Sequence, residues 1–171
     1  MPASDEPMTY RALAEIDVGM IATVRSNSEG GYYDPSDGSV IFIMDGESVT
    51  DEDSEPDPDE RGWISIEADD SRARYNDMRY FADAITDPIL ADRISRAMDG
   101  RGAFRRFRNT LSEDDLYPTW ARFSDAREEE RVIHWLIEME ICDATECGPG
   151  LRAREDTAAR ALVEIADWRR D

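Results

Sequence analysis

The chain contains no lysine. All 20 of its basic residues are arginine, and they face 40 aspartates and glutamates, for a formal net charge of -20. That shortage of cations excludes a general affinity for nucleic acid or anionic lipid, favours solubility, and makes the compact state repel itself at low salt. A GC-rich genome or a salt-adapted proteome produces such a bias. Histidine occurs once, at His134, and cysteine twice, at Cys142 and Cys147. A lone histidine supports neither a Ser-His-Asp triad nor a zinc site, and two cysteines are too few for a disulfide framework. No window approaches the roughly 18 apolar residues of a membrane span, and no leader-like apolar stretch follows Met1. The expectation is a soluble cytoplasmic protein with reduced thiols and no membrane contact. A P-loop, a dinucleotide glycine motif, a G-x-S-x-G elbow and a zincin helix are all missing, as is any internal repeat.

What is present suffices for a core. The chain has 171 residues, 40 % of them apolar, with four Trp, six Tyr and five Phe. This length suits one domain, or one domain with a small subdomain. Charge divides it. Residues 1–70 carry 19 acids and three Arg, so most of the excess lies there. We expect an acidic β-rich part over 1–70, a helical part over 71–141 and a C-terminal helical extension over 142–171.

Local patterns supply the elements. Met1 to Met8 read as frayed. Asp17 to Arg25 reads as a helix capped by Asp17, with Val18, Ile21 and Ala22 inward. Tyr32-Tyr33-Asp34-Pro35-Ser36-Asp37-Gly38 leading into Val40–Ile43 reads as a hairpin, Gly38 taking the positive φ. Asp45 to Glu60 holds nine acids, no Arg, and Pro56 and Pro58. Like-charge repulsion makes it an extended loop over 45–60, without the glycine and glutamate spacing of a calcium loop. Trp63, Ile64 and Ile66 mark a third strand.

The remainder reads as helical. Ser71 caps a helix carrying Tyr75, Met78, Phe81, Ala82 and Ile85. Asp87 and Pro88 start a second, with Leu90, Ile94, Ala97 and Met98 on one face. A third runs from Gly102 to Leu111, with Phe104 and Phe107 inward, and a longer one follows Pro118. Gly148-Pro149-Gly150 reads as a break before an amphipathic helix from Glu155 to Arg169, which either folds back or pairs two protomers. The fold class is therefore α+β: a small antiparallel N-terminal sheet packed on a helical bundle, with an extra C-terminal amphipathic helix. Its predicted core is Met78, Phe81, Ile94, Phe104, Phe107, Trp120, Phe123, Trp135 and Leu136.

One segment runs against the acidity. From Arg93 to Arg108 six arginines face one acid, Asp99. The candidate anion- or partner-binding residues are Arg101, Arg105, Arg106 and Arg108, because guanidinium forks bind phosphate and carboxylate bidentately. The plainer alternative, given precedence here, is an internal clamp: Arg105, Arg106 and Arg108 pair with acids of the flanking helices or the acidic half while Phe104 and Phe107 fill the core. His134 is expected as a hydrogen-bonded core or interface residue, Glu128-Glu129-Glu130 as a solvated helix face. No cofactor and no metal is expected.

Around this segment the chain resembles a widespread bacterial family catalogued only as uncharacterised, in the UPF series. The family's mark is a Gly-(Lys/Arg)-Gly-Ala-Phe-Arg-Arg-Phe core, here Gly100 to Phe107. The stretch YYDPSDGSVIFI, the helix with Met78 and Phe81, and Trp120, Phe123 and Trp135-Leu136 are similar to its other features. The likeness spans roughly Asp17 to Ile141; the segment beyond is similar to an addition. It implies no activity.

These features lead to a non-enzymatic protein-interaction or regulatory module as the expected function, the acidic half suiting a basic protein partner. The alternatives are a nucleic-acid-associated regulator using the arginine patch and an enzyme of unrecognised type. If Phe107 is core, Phe107→Ala costs about 3–5 kcal/mol in chemical denaturation; an unchanged melting temperature would remove it from the core.

Overall fold

Aspartate starts most of the helices. The computed structural model describes residues 9–169, so Met1–Met8, expected to be frayed, lies outside the described residues. Asp17, Asp57, Asp70, Asp87 and Asp143 each stand just before a helix and accept a hydrogen bond from an amide of its first turn. A carboxylate there satisfies donors that have no partner inside the helix and lies at the positive end of the peptide dipoles. The helices so started are α1 (Val18–Ser26), α2 (Pro58–Arg61), α3 (Ser71–Asp83), α4 (Pro88–Ala97) and α7 (Ala144–Asp167). The cap of α3 is Asp70 rather than Ser71, because the chain enters the helix one residue earlier. Two helices, α5 (Ala103–Glu113) and α6 (Tyr117–Glu138), have no side-chain cap. A 3-10 turn at Leu13–Glu15 precedes α1.

The sheet has four antiparallel strands in the order β3-β2-β1-β4: β1 (Gly31–Tyr33), β2 (Val40–Met44), β3 (Glu47–Ser48) and β4 (Ile64–Ile66). Tyr33 stands opposite Val40 on one side and Ile64 on the other. These three, with Phe42 and Ile66, turn toward α1 and the end of α6. A Cβ on Gly31 would lie 2.7 Å from Val24 Cγ1, so α1 packs on the sheet only because that residue is glycine. The fold class is α+β, as the sequence implies.

The acidic segment 45–60 departs from the expected extended loop. Asp45 and Gly46 both have positive φ, 55° and 81°, as a type I′ hairpin turn requires. The turn sends β3 back along β2, and the Glu29 carboxylate accepts hydrogen bonds from the amides of Asp45 and Gly46. The glycine-proline-glycine break is also absent, and the last helix starts at Ala144, not Glu155. Pro149 removes one amide in the second turn, after the Asp143 cap has fixed the first. Gly150 is needed there for contact: a Cβ would stand 2.4 Å from Leu13 Cδ2. The expected reduced thiols are instead a disulfide, Cys142–Cys147, buried across the connection from α6 to α7. The turn folds both side chains into the same apolar cluster.

Two apolar clusters result, and α6 and α7 run antiparallel through both. The first joins α3, α4, α5, the start of α6 and the end of α7. Its centre is an aromatic group in which Phe107 and Trp120 lie 4.9 Å apart, edge to face, with Phe81 and Phe123 against Trp120. The second joins the 3-10 turn, α1, the sheet, the end of α6 and the start of α7. Met78, Phe81, Ile94, Phe107, Trp120, Phe123, Trp135 and Leu136 are buried as expected. Phe104 is 39 % exposed. The inward stripe of α5 is Ala103, Phe107 and Leu111, and Phe104 lies about 100° round from it.

Where α1, α3 and α6 meet, two nearly buried carboxylates collect three arginines. Asp69 receives Arg25 at 2.8 Å and Arg131 at 3.3 Å; Asp77 receives Arg131 at 2.7 Å and Arg127 at 3.2 Å. Removing one member of such a group strands charge in a poorly solvated place. Asp77→Ala is expected to cost about 3 kcal/mol, because it orphans parts of both Arg127 and Arg131. Urea denaturation checks this; a loss within about 0.5 kcal/mol, typical of surface positions, would contradict it.

Candidate functional site

The glycine-flanked arginine segment forms the turn between α4 and α5 and the first turn of α5. Gly100 and Gly102 have φ of 72° and 76°, left-handed values that reverse the chain within a few residues. Arg106 reaches back across this turn. Its Nε donates to the carbonyl of Ala97 at 3.1 Å, and its two terminal nitrogens donate to the carbonyls of Asp99 and Arg101. These carbonyls lie at and just beyond the negative end of α4, where a cation is stabilised. Arg106 is thus fully engaged with backbone. It is a clamp, but on carbonyls rather than on carboxylates.

The other three candidates correct the clamp expectation. Arg101, Arg105 and Arg108 are exposed, and among the described residues none makes a side-chain hydrogen bond or ion pair. Of the acids nearby, Glu113 and Asp114 bind Arg93, and Asp92 binds Arg96. Helical geometry then leaves Arg105 and Arg108, one turn apart, as a row of free cations.

At the Arg108 end of that row lies a groove of about 320 Å³ between α3, α5 and α6. Its floor is Met78, Phe107 and Trp120, all buried. Phe104, edge to face with Tyr75, and Tyr117 form half-exposed walls. Arg108 and Arg74 supply cations to its rim, Asp125 and Glu128 carboxylates. Arg74 Nε lies 3.4 Å from Glu128 Oε1. Burial pushes the Glu128 carboxyl up, against the pull of Arg74 and Arg131. Burial and the charge of Glu129 push Asp125 up as well. The arrangement offers an apolar slot with one free cation, Arg108, at its rim and, on the α6 side, Glu128, which accepts a hydrogen bond from Ser26 Oγ at 3.4 Å.

The remaining candidates do not come together. His134 is exposed on α6 rather than in the core, because Val132, Ile133, Trp135 and Leu136 take both inward flanks. Glu128, Glu129 and Glu130 are not a solvated face: they are partly buried and pair with Arg74, Arg154 and Arg127. Among the described residues no group of three or more His, Cys, Asp or Glu is placed to hold a metal ion. No described helix is long and apolar enough to cross a membrane. The groove itself was the part missed by sequence reasoning. Tyr117 carries no motif, and the available signal was that Phe104 falls off the Ala103-Phe107-Leu111 stripe.

No protein-family model, no curated protein and no solved structure matches the chain.

Arg106→Gln is expected to lower stability by about 1.5–3 kcal/mol, the range for hydrogen bonds to a charged group, while Arg105→Gln leaves it unchanged. Thermal melts of both variants check the contrast. Glu128 gives a pH test. Its folded pKa is raised, so the folded state binds the extra proton, and stability falls as pH rises through the window above the unfolded value. The melting temperature of Glu128→Gln relative to the parent should therefore rise as the pH is raised from the ordinary glutamate range toward neutrality. A difference that stays flat or falls would contradict the burial of that charge.

Proposed function

We propose that this chain is a non-enzymatic protein-interaction module whose docking face is the groove between α3, α5 and α6. The observation that carries the reading is the free row of Arg105 and Arg108 beside the half-exposed rings of Phe104 and Tyr117. In a chain with twice as many acids as arginines, every guanidinium has carboxylates to choose from. A row left open next to exposed aromatic surface has the composition of an interface, where Arg, Tyr and Phe are enriched. The Gly100–Phe107 segment that resembles the uncharacterised family has two tasks in this reading. Its glycines and Arg106 fix the turn, and that turn presents Phe104, Arg105 and Arg108.

The test is comparative retention from native lysate at about 0.15 M salt, where long-range attraction is screened over about 8 Å. A partner retained by the parent is expected to be lost from a Phe104→Ala/Tyr117→Ala variant of unchanged melting temperature. The same proteins retained by both, or none by either, would contradict docking at this groove.

A further inference from the structure

We infer that the groove takes an acidic amphipathic segment of a partner protein, its apolar side chains between Phe104 and Tyr117 and its carboxylates over Arg105 and Arg108. This deepens the docking reading above and rests on it. Two observations fix the sign of the partner's charge, and a third fixes the side on which its carboxylates lie.

The first is the charge along α5. Between Asp99 and Glu113 the chain has four arginines and no acid. Arg106 is held by carbonyls, and Glu113 is held by Arg93 at the far end of the helix. All the charge on the exposed face of the first two turns is therefore positive. The second is the polarity of the helix. No acidic residue lies in the first turn of α5, and its cap, Gly102, has no side chain. Free cations near the positive end of a helix repel its dipole, whereas an incoming carboxylate is attracted by both. The third is the division of charge in the groove. On the α6 side Glu128 is answered by Arg74, while among the described residues no hydrogen bond or ion pair engages Asp125. An acidic occupant must keep its carboxylates on the α5 side, away from Asp125, so Asp125 opposes binding.

The groove volume suits anchoring side chains rather than a whole ligand chain, so the backbone of the occupant runs over the rim. An amphipathic helix laying its apolar face into a groove is the arrangement that does this. The overall charge of -20 does not decide against such a partner, since charges beyond about 8 Å are largely screened at physiological salt.

Fluorescence anisotropy on the full chain tests the inference with labelled helical peptides of about 15 residues, long enough for marginal helicity. All carry Leu and Phe at i, i+3, i+4 and i+7, with Glu, Gln or Lys at the other positions; a thymidine oligonucleotide of similar length is the fourth probe. The Glu peptide is expected to bind most tightly and to weaken with salt. Arg105→Glu/Arg108→Glu should weaken it by about tenfold or more, and Asp125→Asn should tighten it by about twofold or more. Preference for the Gln or Lys peptide, abolished by Phe104→Ala, would overturn the acidic occupant and leave the docking groove standing. Tighter binding of the oligonucleotide would overturn it in favour of a nucleic acid. Glu-peptide affinity indifferent to Arg105→Glu/Arg108→Glu would also overturn it. No binding by any of the probes would overturn the docking reading itself.

Discussion

The ion group at Asp69 and Asp77 is the contact on which the arrangement of the helices depends. Asp69 follows the last strand, Asp77 lies midway along α3, and Arg127 and Arg131 lie one turn apart on α6. Arg25, at the end of α1, closes the group from the sheet side. Paired carboxylates and guanidinium forks in this position tolerate little displacement, because each charge has lost most of its water. Apolar burial supplies most of the stability but is not directional. The ion group supplies direction: it sets how α3 lies across α6, next to the Glu128 end of the groove.

Arginine is the scarce charge, and its placement separates two tasks. Arg25, Arg127 and Arg131 hold elements together; Arg93 and Arg106 hold α4 to α5; Arg154 holds α7 to α6 through Glu129. Arg101, Arg105 and Arg108 do none of this. Their freedom follows from local geometry: Asp92, Glu113 and Asp114 are engaged elsewhere, and most of the chain's excess negative charge lies in residues 1–70. The same segment is therefore both a rigid turn and an open surface, and the rigidity keeps the surface in one shape. Preorganised binding faces lose less entropy on association.

Much of this fold is legible in the sequence. The α1 cap at Asp17, the Asp87-Pro88 start of α4 and the Tyr-rich hairpin follow from capping and turn chemistry. The aromatic centre at Phe81, Phe107, Trp120 and Phe123 follows from helical periodicity. Where local rules failed, a tertiary contact or a second local signal prevailed. Gly150 looks like a helix breaker until Leu13 needs its space. Asp45-Gly46 is a strong hairpin signal hidden in a run of acids. Phe104 looks like core by spacing, yet one step of helical phase puts it at the groove. The arginine segment was legible as a cluster but not as a division between Arg106 and its neighbours. That division depends on which carbonyls and carboxylates stand within reach, and this is a property of three dimensions.

Guanidinium dynamics test the central claim most directly. In uniformly nitrogen-labelled protein, the Nε–H groups of Arg106, Arg127 and Arg131 should be rigid on the ps–ns scale and slow to exchange with water, and those of Arg105 and Arg108 mobile and fast to exchange. Arg105 and Arg108 as ordered as Arg127 in the free chain would contradict the account, because the cations assigned to a partner would then already belong to the fold.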